Sequence, residues 1–119
     1  MNIKVRNGGF ELATIDDFLK LDVRIGTIVS AAPLEAARKP AITLTIDFGA
    51  LGVKKSSAQI TQKYTPEVLI GRQIVAIVNF PPRRIAGFAS EVLVLGGVED
   101  GGVTLLSPDQ EVENGTPVA

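Results

Sequence analysis

Residues 42–61 read Ile42-Thr43-Leu44-Thr45-Ile46-Asp47-Phe48-Gly49-Ala50-Leu51-Gly52-Val53-Lys54-Lys55-Ser56-Ser57-Ala58-Gln59-Ile60-Thr61. Ile42, Leu44, Ile46 and Phe48 alternate with Thr43, Thr45 and Asp47, the period of a strand with one face in a core. Gly49 to Gly52 turns the chain, and another strand follows over Val53–Ile60. On it Lys55, Ser57, Gln59 and Thr61 share one face, and Ser56, Ala58 and Ile60 share the other. A face of hydroxyls, an amide and a lysine is either a solvated sheet surface or a platform for a ligand.

The flanking sequence supplies the remaining elements. Thr14-Ile15-Asp16-Asp17-Phe18-Leu19 predicts a short helix capped by Thr14, with acids in its first turn and Ile15, Phe18 and Leu19 on one side. Strand one is Leu21–Val29, where Gly26 marks a bulge or a barrel bend. Ala31 to Pro40 is a proline-bounded loop carrying Arg38 and Lys39. Thr65-Pro66-Glu67 reads as the cap, first-position proline and acidic first turn of a short helix through Leu69, which Gly71 ends. Strand four is Gln73–Asn79 and strand five Ser90–Gly96, both near-continuous apolar runs that belong in a core or at an interface. Gly96-Gly97 and Gly101-Gly102 bracket a further turn before an apolar run from Val103 to Leu106, and a turn-rich, acidic tail ends the chain.

Five strands, a helix between strands three and four and a helix in front define an all-β, five-stranded OB-type barrel. In that fold strands two and three and their adjoining loops form the usual binding face. The expected organisation is one domain over residues 15–119 preceded by an extension, 1–14.

Between strands four and five the chain reads Asn79-Phe80-Pro81-Pro82-Arg83-Arg84-Ile85-Ala86-Gly87-Phe88-Ala89-Ser90. Pro81 and Pro82 end the preceding strand and restrict the backbone, so Arg83 and Arg84 are expected on a stiff loop at the sheet edge. Guanidiniums fork onto phosphate or carboxylate oxygens. Arg38-Lys39 and Lys54-Lys55 are further basic pairs on connections or edges of the same barrel. Phe80 and Phe88 flank the basic loop, and core packing is their expected use.

Charge is segregated. Net charge is only −1, yet all 12 basic residues lie at or before Arg84. Residues 1–90 carry seven acids against those 12 bases, a local net of +5, and only acids follow. Such a distribution favours anionic partners. Cys and His are both absent, which removes disulfides, thiolate and imidazole nucleophile systems and the usual transition-metal ligands. No catalytic constellation, metal site or cofactor motif stands out, so a non-enzymatic protein without a cofactor is expected. No apolar run reaches the roughly 20 residues of a membrane span. Met1 to Thr14 has no apolar core of a secretory signal, so the expected location is the cytoplasm, without membrane insertion.

Leu21-Asp22-Val23-Arg24-Ile25-Gly26-Thr27-Ile28, Gly71 through Asn79, and Pro82-Arg83-Arg84-Ile85-Ala86-Gly87 followed by Ser90-Glu91 resemble the tRNA-binding domain of the EMAP-II-like OB group. Within it, Ser56 through Thr61, Asn79 through Gly97, Pro108-Asp109-Gln110 and Asn114-Gly115-Thr116 resemble the CsaA-type export chaperones. The likeness spans residues 15–119. It implies a homodimer that binds unfolded preproteins and the Sec export motor, with tRNA binding as the ancestral activity. By position the ligand groove would use Ser57 and Gln59 on the platform, Asn79, Arg83 and Arg84 on the rim, and Ser90; Arg38, Lys39 and Lys55 are candidates from charge. Many tRNA-binding relatives carry a His-Pro-x-Ala-Asp-Lys-Leu type segment after strand one. Here the loop reads Ala32-Pro33-Leu34-Glu35-Ala36-Ala37-Arg38-Lys39, which leans towards the chaperone branch and leaves tRNA or another structured RNA as the alternative ligand.

Overall fold

A computed structural model describes residues 11–119; residues 1–10, most of the expected N-terminal extension, lie outside the described residues. Helix α1 (Ile15–Leu19) is closed by a full capping box: the Asp17 N–H donates to Thr14 Oγ1, and the Thr14 N–H donates to Asp17 Oδ2 at 2.9 Å. Strand β1 runs Val23–Pro33, β2 Ile42–Asp47 and β3 Val53–Ala58. Helix α2 (Pro66–Leu69) precedes β4 (Gln73–Ile77). The chain continues through β5 (Arg83–Ile85), β6 (Phe88–Ser90), β7 (Leu93–Val94), β8 (Gly96–Glu99) and β9 (Gly102–Leu105).

The main sheet has the order β3-β2-β1-β4-β7, with every pair antiparallel. It curls into a nearly closed five-stranded barrel of the OB type. The alternation over 42–48 sends Ile42, Leu44, Ile46 and Phe48 inwards, where they meet Ile28, Ile60, Leu69, Ile74 and Val94. Gly26 is not the bulge. The register shifts between Ile28 and Ser30 instead, and Gly26 faces the Phe48 ring: a Cβ there would lie 2.7 Å from both Ile46 Cγ2 and Phe48 Cδ1. A glycine in a strand marks such a close approach as readily as a bend. Thr65 makes no side-chain cap on α2, and Pro66 supplies the pre-set backbone of the first turn instead.

Three expectations change. First, β1 extends through Pro33, so residues 31–33 pair with β2 rather than looping. Second, the apolar run 90–96 is not one strand. It breaks at Glu91-Val92 and again at Leu95, because the chain must leave one pairing partner for another around the barrel. Third, the final residues are no loose tail. Gly115 N–H donates to Ile25 O at 2.7 Å, Ile25 N–H to Thr116 O, and Val118 N–H to Val23 O. The Gln73 side-chain amide clasps Val112, its Nε2 donating to Val112 O at 2.6 Å and its Oε1 accepting from the Val112 N–H.

No helix among the described residues is long and apolar enough to cross a membrane.

Candidate ligand cleft

The Pro-Pro-Arg-Arg segment forms a hairpin rather than a loop. Arg83, Arg84 and Ile85 pair with Ser90, Ala89 and Phe88. Ala86 and Gly87 turn the chain with φ of 51° and 81°, the positive pair expected of a two-residue hairpin turn that matches strand twist. Alanine pays a steric penalty in that conformation, and Ala86 is the one described non-glycine residue with positive φ. Adjacent strand residues project to opposite faces, so Arg83 and Arg84 do not converge as a paired fork. Arg84 Nη1 donates to Gly87 O at 3.2 Å, bracing the turn. Phe80 is 42% exposed and Phe88 half-buried, and neither joins the core expected of them.

Beside the hairpin, β3 meets residues 90–92 and closes the barrel. This seam relies on side chains. Ser56 Oγ donates to Val92 O at 2.9 Å, Ser57 N–H to Ser90 Oγ at 3.0 Å, and Lys55 N–H to Glu91 Oε1 at 2.9 Å. One backbone bond, Glu91 N–H to Lys55 O at 2.7 Å, completes it. Ser90 is therefore buried with its hydroxyl engaged, and Lys55 is tied at its backbone while its side chain is exposed. Asn79 is occupied too: its Oδ1 accepts from Asp22 N–H and its Nδ2 donates to Lys20 O, both at 2.8 Å. It anchors the segment after α1 to the end of β4.

Between the hairpin and the β1–β2 connection lies a cleft of about 650 Å³. Ala36, Ala37, Arg38 and Lys39 form one rim, Ala41, Ser57 and Gln59 the floor, and Ile85 with Ala86 the opposite wall. The structure thus brings together Arg38, Lys39, Ser57 and Gln59 and leaves Lys55, Asn79, Arg83, Arg84 and Ser90 outside this lining. The small apolar walls escaped sequence reasoning. Alanine carries no chemical flag, and only the Ala86-Gly87 turn before Phe88 could have signalled the hairpin that brings Ile85 across.

No acidic side chain lines the cleft, and the ion pairs found among the described residues involve neither Arg38 nor Lys39. The same residues contain no group of three or more acidic side chains able to hold a metal ion. Cations on the rim of a partly apolar cleft are chemically suited to acceptor-rich groups.

These features define an OB-type binding barrel. The chain belongs to the family described as "Putative tRNA binding domain", which matches residues 23–117. Among solved structures it is similar to the chaperone CsaA of Bacillus anthracis str. Ames, with 62% identity and a TM-score of 0.88 over 92% of this chain and 100% of that one. It is also similar to the CsaA chaperone protein of Picrophilus torridus, with 49% identity and a TM-score of 0.86 over 91% and 100% of the two chains. A methionine–tRNA ligase of Methanococcoides burtonii is 38% identical over 107 residues. That match takes in 89% of this chain but only 16% of the ligase.

Proposed function

We propose that the protein is a non-enzymatic, CsaA-like chaperone that captures unfolded polypeptide in the cleft and assists export of preproteins from the cytoplasm through the Sec motor. The observation that carries this reading is the similarity to a chaperone at 62% identity over 92% of this chain. Cleft chemistry agrees with it: alanine and isoleucine walls suit small apolar side chains, and the cations suit acidic ones. Pairing of a client strand to the hairpin edge contributes little, because β5 is three residues long and Pro82 has no N–H to offer.

A homodimer is part of the proposal. Helix α1 buries none of its residues: Ile15 and Leu19 are 69% and 67% exposed although they share one apolar side. Phe80, beside the Asn79 anchor of that segment, is exposed as well. A helix of five residues does not hold such a side against water by itself, so a second copy is the expected cover.

The test is suppression of aggregation of a chemically unfolded client. Stoichiometric dimer suppresses it, and Arg38→Ala with Lys39→Ala weakens the effect. No suppression at that ratio rejects the reading. Mass in solution decides the dimer, with Ile15→Glu plus Leu19→Glu expected to give monomer.

A second reading, tRNA binding, is favoured by the family match and by the +5 charge over residues 1–90. Its signature is an affinity that falls steeply and linearly with salt on logarithmic axes. A flat response rejects it.

A further inference from the structure

Ser56 and Ser57 are adjacent, both buried, and unequal. The Ser56 hydroxyl is satisfied by Val92 O. Ser57 is 6% exposed, and its Oγ has no hydrogen-bond partner among the described residues. A buried polar group left unpaired costs about 1–3 kcal/mol, and the barrel has no use for this one. The contribution of Ser57 to the seam is its main-chain N–H, which any residue but proline supplies. Its side chain lines the cleft floor next to Gln59, whose amide makes no hydrogen bond among the described residues. Arg38 and Lys39 stand on the rim. Neither Glu91 nor Glu35 lines the cleft: Glu91 accepts from Lys55 N–H, and Glu35 lines an adjoining hollow that shares Ala37, Arg38 and Ala41 with the cleft.

The polar residues lining the cleft are thus two cations, a serine with a buried hydroxyl and a glutamine, set among alanines and one isoleucine. All four can donate hydrogen bonds, and the two cations accept none. That set fits a single anionic acceptor carried on a short apolar stem. A nucleic-acid strand fits it less well, because strand binding combines a row of cations along the backbone with aromatic stacking surfaces. No aromatic side chain lines this cleft.

We propose that Ser57 is the specificity-determining residue of the cleft. With the Gln59 amide it donates to a carboxylate of the captured polypeptide, and Arg38 and Lys39 neutralise the charge. The inference rests on the polypeptide-capture reading and narrows it from any unfolded chain to extended segments that present a carboxylate. The carboxylate can belong to a Glu or Asp side chain or to a chain terminus.

The experiment measures binding of fluorescent peptides of about ten residues to the intact protein at low salt. The set comprises a peptide with one central Glu, its Gln counterpart, each with a free or an amidated C-terminus, and a single-stranded oligonucleotide of similar length. The wild type should prefer carboxylate-bearing peptides by about tenfold, the scale of one hydrogen bond to a charged group. Which of Glu→Gln exchange and amidation abolishes the preference identifies the source. Ser57→Ala should erase that preference and leave the thermal midpoint the same or higher, since an unpaired buried group has been removed.

Equal affinity of the wild type for all four peptides overturns the inference. So does a loss in Ser57→Ala that is equal for all peptides, or a lowered midpoint, which would make the hydroxyl structural. Oligonucleotide binding that depends on Ser57, without any peptide preference, overturns it in favour of nucleic acid. Failure to bind any peptide overturns both this inference and the capture reading, whereas peptide binding without preference overturns this inference alone.

Discussion

Around β1 the barrel is joined mainly by backbone. This strand pairs with β4 along one edge and with β2 and then the C-terminal segment along the other. Its inner surface is packed so closely that Gly26 has no room for a methyl group. Around β3 the barrel is joined by Ser56, Ser90 and Glu91 side chains, and a cleft opens next to the seam. A backbone ladder uses every N–H and C=O and leaves nothing for a ligand. The β3 seam is made by side chains, and the hydroxyl of Ser57, which joins it only through its main-chain N–H, remains unused. The contrast places backbone closure and tight packing on one side of the molecule and the cleft on the other.

Overpacking the β1 side should have the largest effect. Gly26→Ala is expected to destabilise by about 3 kcal/mol, because Phe48 and Ile46 have no free volume to yield. Urea unfolding measures it, and a cost below 1 kcal/mol, taken as roughly the level of a tolerated core exchange, would show that side to be plastic. On the seam, Ser90→Ala removes the acceptor of the buried Ser57 N–H and should cost about 1–2 kcal/mol. If it costs as much as Gly26→Ala, the two sides do not differ in the way described. The smallest effect is a gain at the cleft wall. Ala86→Asn puts a residue tolerant of positive φ at the hairpin turn and should raise stability by about 0.5 kcal/mol. A thermal midpoint lower than that of the wild type would show that the larger side chain disturbs the wall opposite Ser57.

Much of the barrel was legible in the sequence because it rests on short-range patterns. The alternation over 42–48, the Thr14–Asp17 cap and the Pro66 helix start each use residues close in the chain, and each appears where expected. The run 90–96 has the hydropathy of one strand, and hydropathy does not record a change of pairing partner. The final segment has the composition of a tail, and the contacts that hold it lie about 90 residues away in the chain, as in the bond from Arg24 Nη1 to Gly115 O. At the cleft, Arg38, Lys39, Ser57 and Gln59 were visible as chemistry, whereas Ala36, Ala37, Ala41 and Ile85 were not.

The amino-acid sequence by itself determined the OB-type barrel, the absence of histidine and cysteine chemistry, and the excess of cations over residues 1–90. These follow from local periodicity and composition, which need no knowledge of what lies across the fold. Only the tertiary structure decided that Arg83 and Arg84 point to opposite faces of a hairpin and that Ser90 closes the barrel. It also decided that Ser57 is buried beside Arg38 and Lys39. Two serines one residue apart are chemically identical in a sequence. Burial and the reach of a partner distinguish them, and both are set by strands brought together from distant parts of the chain.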